Sequence, residues 1–287
     1  MIKKLLLILI LGSVFCVFSG GCVTNAVTGE SEFNIYGNDM DDDVRLGEAW
    51  APELEKEFGG VFEDEHIQSY VDYVGQNVAQ VSHGAHIPWH FRVLRDKMMN
   101  AFALPGGYIY ITTGMLRKLE TEAQLAGILA HEASHVTLRH STNRMSEQMG
   151  FNILFSAAMR NASGEMVRAA SIASQLVMLK YSREDEMEAD VIGLRYAMRA
   201  GYNPYGMVET MQILEAERND DGPAEFLSSH PSPMNRYGRL LEEIEAGGYN
   251  VAEMKVRKED YERIVLERLK DVKDEDEDEN KKKNHKH

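Results

Sequence analysis

The chain has 287 residues, 44% of them hydrophobic and 27% charged, with a net charge of −15. That length supports one sizeable core and at most a small appendage. The acidic balance without a basic stripe excludes a nucleic-acid binder, and two cysteines are too few for a disulfide framework.

The first stretch, MIKKLLLILILGSVFCVFSGGC, carries Lys3 and Lys4, runs apolar from Leu5 to Phe18 and ends in small residues before Cys22. Residues 1–21 read as a secretory signal of the lipoprotein type, with an apolar run short for a membrane-spanning helix. Cys22 is the expected lipidation site, although Ser19 stands where such sites usually carry Leu. Val23 follows instead of Asp, which by resemblance to bacterial sorting rules points to the outer membrane from the periplasmic side. Cys16 leaves with the signal, so the mature chain is expected to have neither free thiol nor disulfide.

Residues 22–40 are polar, rich in Gly and Asn, and read as a tether. Helices are expected over 41–58 and over 64–82, the second from the spacing of Ile67, Tyr70, Val71, Val74, Val78 and Val81. His83, His86 and His90 surround Pro88. They read as a solvated loop, with a metal cluster as the alternative, because no carboxylate or tight spacing accompanies them. Phe91–Leu94 and Tyr108–Thr112 have strand character, and Pro105-Gly106-Gly107 marks a turn between them. Ala101–Leu104 reads as an extended edge, either an ordinary strand or one that pairs with a substrate backbone.

The segment LAGILAHEASHVTLRH, residues 125–140, carries the chemistry. Thr121 and Gln124 have capping-box spacing, so a helix opens at Thr121. Leu125, Leu129 and Val136 form an apolar stripe. His131 and His135 stand one turn apart on one side, with side-chain roots about 6 Å from each other, and Glu132 lies beside them. Burying three polar groups together costs several kcal/mol unless something compensates. One Zn²⁺ held by both imidazoles would compensate, with Glu132 in reach of a water at the metal.

Residues 150–180 are Ala-, Met- and Leu-rich and read as helical. The stretch FNILFSAAM is a core helix on this reading and a membrane contact on the alternative. SREDEMEADVIGLRYAMRAG follows, a helix closed by Gly201. Glu186 and Asp190 share one face at i and i+4, whereas Glu188 points away. A catalytic zinc site takes three protein ligands, and Glu186 is the expected third. Asn203 caps a further helix with Pro204 at its first position. Another helix opens at Ser232-Pro233 and ends at Gly247-Gly248. Residues 249–272 read as a C-terminal helix and 273–287 as a disordered charged tail.

HExxH followed about fifty residues later by SRxxExEAD resembles the HtpX, Oma-type and CAAX-prenyl-protease family of zinc endopeptidases. The nearest likeness is to its bacterial periplasmic lipoprotein branch, the LoiP- and BepA-like proteins, here without the helical-repeat domain. GCVTNAVTGE, NAFALPGGYIYITTGML and SSHPSPMNR support it, and the likeness covers residues 22 to about 245. It implies an α+β, mainly helical zincin-type metalloprotease domain over residues 41–248. In such a domain an HExxH helix lies under a small sheet whose edge strand passes over the site. The resemblance makes His131, His135 and Glu186 the ligands of one Zn²⁺, Glu132 the general base, and Asp190 an acid that orients the site. It places His230 and Arg236 near the metal.

Arg236 then either stabilises an oxyanion or forms a surface ion pair. His230 caps its loop, contacts the transition state, or fills the open metal position and keeps the enzyme latent. The expected activity is hydrolysis of misfolded or misassembled envelope proteins at the membrane. The alternative is an outer-membrane assembly or chaperone-like factor with little proteolysis. Expected partners are protein substrates, the membrane through Cys22, and outer-membrane assembly machinery.

Overall fold

The computed structural model describes residues 22–34, 39–148, 180–217, 226, 229–230, 236–270 and 272. The signal, most of the helical reading over 150–180, the helix start at Ser232-Pro233 and the charged tail lie outside the described residues.

One helix organises the rest. Helix α4, Glu122–Thr137, opens where Thr121 Oγ1 accepts the amide of Gln124 at 3.2 Å, and all of its residues are buried. A helix buried all round has no solvent face on which to put a polar group. His131, Glu132 and His135 therefore face other protein.

On one side of α4 lies a three-stranded sheet. Strands β3 (His90–Leu94) and β5 (Tyr108–Thr112) are parallel, and β4 (Ala101–Leu104) is antiparallel to β5, giving the order β3-β5-β4. The Pro105–Gly107 turn makes β4 and β5 a hairpin in the register Ala101↔Ile111 to Leu104↔Tyr108. Gly106 has φ +75°, and a Cβ there would meet the backbone of Asp43 and Val44. A side chain is thus excluded both by conformation and by space. Strand β4 is an edge of the sheet, and it packs on α4.

Helix α2 (Glu65–Ala79) covers the sheet and α4 through Val71, Val74 and Val78, beside Phe91 and Ile109. Helix α1 (Met40–Glu57) brings Leu54 to Phe102, Leu104 and Tyr110. On the other side of α4 lie α5 (Arg183–Arg199), α6 (Tyr205–Glu217) and α7 (Arg236–Ala246). They share a core of Leu194, Met198, Met207, Met211, Leu240 and Ile244. The start of α5 is fixed by a capping box between Ser182 and Asp185, and Gly201 beyond its end has φ +84°. Asn203 Oδ1 caps α6 by accepting the Tyr205 amide at 3.0 Å. The short helix Thr113–Lys118 follows β5. Lys258–Tyr261, the π turn Glu262–Leu266 and Glu267–Lys270 run on at the C-terminal end. Tyr261, Val265 and Leu269 of that stretch enter the main core, so it is part of the same body.

The expected tether is partly folded. Strands β1 (Cys22–Thr24) and β2 (Ser31–Phe33) form an antiparallel hairpin. Buried Asn25 donates from Nδ2 to the Leu138 carbonyl at 2.9 Å, and Asn34 donates to Asn143 Oδ1 at 3.0 Å. The polar composition that suggests a tether has another use. Here the amide side chains instead satisfy backbone and side-chain groups just beyond α4. His83, His86 and His90 lie in or next to a turn region, as the loop reading expects. His83 pairs with Tyr196 at 2.7 Å and His90 stacks on Tyr108.

The crossing of α5 over α4 depends on Gly193. A Cβ there would stand 3.0 Å from the Ala130 carbonyl group and from His131 Cα. Gly193→Val should force the two helices apart and destabilise the protein by about 1–3 kcal/mol, the usual cost of overpacking. Urea unfolding monitored by circular dichroism checks this, and parent-like stability would show that the crossing is compliant.

Candidate metal centre

Four side chains converge between α4, α5 and the segment before α7. One ligand-type atom from each of His131, His135, Glu186 and His230 lies within 4.8 Å of the others, and all four residues are buried. His131 Nε2 stands 3.1 Å from His135 Nε2 and 3.8 Å from Glu186 Oε2. His135 Nε2 is 3.4 Å from Glu186 Oε1. His230 Nδ1 is 2.7 Å from the same Oε1 and 3.4 Å from His131 Nε2. Two imidazole nitrogens and a carboxylate facing one point form a donor set that a divalent transition metal accepts, with a third imidazole beside it.

Glu132 is wholly buried, and neither of its oxygens accepts a hydrogen bond among the described residues. The His230 Nε2 atom lies 3.6 Å from Glu132 Oε1. Burial pushes the Glu132 carboxyl up, partly offset by His230 and His131. A buried carboxylate without a donor is costly, so a group that accepts and releases protons belongs beside it.

The countercharge comes from α7. Arg236 donates from Nε to Asp190 Oδ2 at 2.5 Å and from Nη2 to Asp190 Oδ1 at 2.6 Å, and a further nitrogen bonds Glu186 Oε2. Asp190 Oδ1 in turn stands 3.1 Å from His131 Nδ1. Burial alone would raise both carboxyls. Arg236 outweighs it at Asp190, and His230 with Arg236 outweighs it at Glu186, so both lie below the usual range. Burial lowers His135 well below the ordinary imidazole value, which keeps it neutral as a ligand must be. Burial also pulls His230 down, but Glu186 and Glu132 outweigh it and raise its value.

His131, His135, Glu186 and Asp190 meet at this point, as the i, i+4 spacing on both helices predicts. Arg236 is a buried cation bound on two sides, so it is not a surface ion pair. Three contributors escaped the sequence reading. Tyr181 stacks on His135 with ring centres 4.0 Å apart, and Phe226 stacks on His230 at 4.2 Å. His140 Nδ1 lies 2.8 Å from His135 Nδ1. The aromatic rings gave no periodic signal, and His140 sits five residues on from His135, off its face in any regular helix.

Two crossed helices that offer His, His and Glu inward beside an edge strand define a zincin-type metallopeptidase. The model of peptidase family M48 matches residues 65–244, and the chain belongs to that family. It is 26% identical over 205 residues to the beta-barrel assembly-enhancing protease of Escherichia coli strain K12, covering 68% of this chain and 42% of that one. It is 30% identical over 207 residues to the mitochondrial metalloendopeptidase OMA1 of Arabidopsis thaliana, covering 72% and 40%. With the OMA1 of Schizosaccharomyces pombe it shares 31% identity over 176 residues, 60% and 52%. The chain thus spans about half or less of the length of these relatives.

Removing one partner from a buried ionic network leaves an unpaired charge and typically costs about 3–5 kcal/mol. Arg236→Leu strips Asp190 and Glu186 of their cation. The metal-free variant should lose stability in that range, read from urea unfolding. A loss below about 1 kcal/mol would mean that the two carboxyls find other partners.

Proposed function

We propose that the protein is a zinc-dependent endopeptidase of the bacterial cell envelope, lipid-anchored at Cys22 on the periplasmic face of the outer membrane. The observation that carries the reading is the convergence of His131, His135 and Glu186 from two helices onto one buried point beside Glu132. On this reading His131, His135 and Glu186 hold one Zn²⁺. Zinc, when bound, supplies Lewis acidity to a water and to the scissile carbonyl.

The protein's own groups do the rest. Glu132 takes the water's proton and delivers it to the departing amide nitrogen, a role suited to a carboxyl whose pKa burial raises. Asp190 Oδ1, 3.1 Å from His131 Nδ1, favours the tautomer that turns Nε2 toward the metal. Arg236 clamps Asp190 and Glu186 in that arrangement, a placement that favours holding the ligands over meeting an oxyanion. His230, against Glu186 and close to Glu132, acts as a latch that substrate displaces. Substrates are misfolded or misassembled envelope proteins.

The name of the Escherichia coli relative supports a second reading in which the chain assists assembly of outer-membrane β-barrels and cleaves little. Casein digestion by purified protein, with and without chelator, separates the two. Chelator-sensitive cleavage is expected, and metal-loaded protein that leaves casein intact would favour the assembly role.

Replacing His131, His135 or Glu186 with Ala should empty the site of zinc, as measured by atomic absorption. Glu132→Gln should keep zinc yet lower hydrolysis at least about 10²-fold, the scale of general-base loss. Parent-level digestion by that variant would mean another base operates. His230→Ala should retain zinc and raise basal proteolysis; lower activity would favour a contact to the transition state. Cys22→Ser should move the protein to the soluble periplasmic fraction, and surviving membrane association would refute the anchor.

A further inference from the structure

We propose that His140 is a positioning residue for His135: it accepts the Nδ1 proton of that ring and so fixes Nε2 as the metal-facing atom. The inference rests on the metal-binding reading above, and it concerns a residue outside the HExxH and ExxxD motifs.

The geometry is unusual enough to need a cause. Five residues of regular helix separate two side chains by about 140° around the axis, so His135 and His140 would not meet on a continuous helix. They meet because α4 stops. Leu138 is its C-cap, Arg139 takes φ 58°, and residues 140–148 start a new helical stretch. A long side chain rarely adopts that left-handed conformation, and such an outlier persists only where its surroundings hold it. The surroundings here are specific. Arg139 donates from Nε and Nη2 to the two oxygens of buried Asp43, each at 2.8 Å. The Leu138 carbonyl, one residue earlier, accepts from Asn25 of the N-terminal hairpin at 2.9 Å. Two separate elements, α1 and the N-terminal hairpin, thus converge to turn the chain at this point. The turn swings the His140 ring back onto the metal ligand.

The two rings then have one consistent proton arrangement. His135 Nε2 faces His131 and Glu186 and must be free of hydrogen to bind metal. Its Nδ1 therefore carries the proton and donates it to His140 Nδ1 at 2.8 Å. His140 Nε2 carries its own hydrogen toward Glu188 Oε2 at 3.4 Å. The His140 side chain is 4% exposed and that of Glu188 is 42%, so the chain of contacts runs from the metal ligand to solvent. Tyr181 stacks on the His135 ring with centres 4.0 Å apart and so holds its plane. The two α4 ligands are therefore held differently. His131 leans on a carboxylate locked by Arg236, and His135 on a neutral imidazole whose outer partner is at the surface.

The test measures metal, not turnover. Zinc affinity of the full chain is read by competition with a chromogenic chelator. The thermal midpoint of the metal-free form and the visible absorption of the cobalt-substituted form are read in parallel. His140→Phe keeps a flat ring but no acceptor. It should bind zinc about 10–100-fold more weakly, with a metal-free midpoint near the parent's and altered cobalt bands. His140→Gln, whose carbonyl can accept from Nδ1 and whose amide can donate to Glu188, should recover much of the affinity. Parent-like affinity in His140→Phe overturns the inference. So does an affinity loss that tracks a fallen metal-free midpoint and is not restored by Gln, since that is a structural role. Parent protein that binds no zinc would instead overturn the metal reading itself, and this inference with it.

Discussion

Everything in this molecule follows from burying a helix that carries His131, Glu132 and His135 on all sides. Every residue of α4 is buried, so its polar groups must be answered mainly from neighbouring elements. The answers come from distant parts of the chain: Glu186 and Asp190 on α5, Arg236 on α7, His230 before it, and His140 after the turn. The core is therefore assembled around an ionic centre, and its helices are placed to deliver side chains to that centre. Gly193 shows the same constraint from the packing side. It lets α5 approach close enough for Glu186 and Asp190 to reach both histidines.

The network is directional. Arg236 binds Asp190 with two nitrogens and Glu186 with another, so one guanidinium sets the position of both a ligand and the partner of a ligand. Planar, forked donors suit this better than an ammonium would. Two carboxylates, Glu186 and Asp190, share the one guanidinium of Arg236, and Glu132 faces His230, so acidic groups outnumber basic ones at the centre. A divalent cation would add charge to this arrangement. Glu186, which His230 Nδ1 contacts at 2.7 Å, is the carboxylate that such a cation would share with that ring.

Much of this was legible where the physics is local. Thr121 and Asn203 announce helix starts because a cap needs only residues three or fewer apart. The i, i+4 pairs His131/His135 and Glu186/Asp190 announce a shared face for the same reason. The helix that periodicity places over 64–82 spans 65–79, the one expected over 41–58 spans 40–57, and turn chemistry marks the strands flanking Pro105. What was hidden is non-local or breaks a local rule. Nothing in LRH signals that Arg139 will turn left-handed, because the cause is Asp43, nearly a hundred residues earlier. The partners of Arg236 depend on how α7 meets α5. The docking of residues 22–34 rests on Asn25 and Asn34, residue types that composition assigns to solvent.

That docked hairpin also removes slack. Cys22 lies three residues before Asn25, a reach of about 10 Å of extended chain, and Asn25 is bonded to the last turn of the catalytic helix. Whatever is joined to residue 22 is thus harnessed to α4 by a span shorter than the helix itself. An anchor at residue 22, as proposed above, would leave α4 little room to sweep, and substrates would then have to come to it.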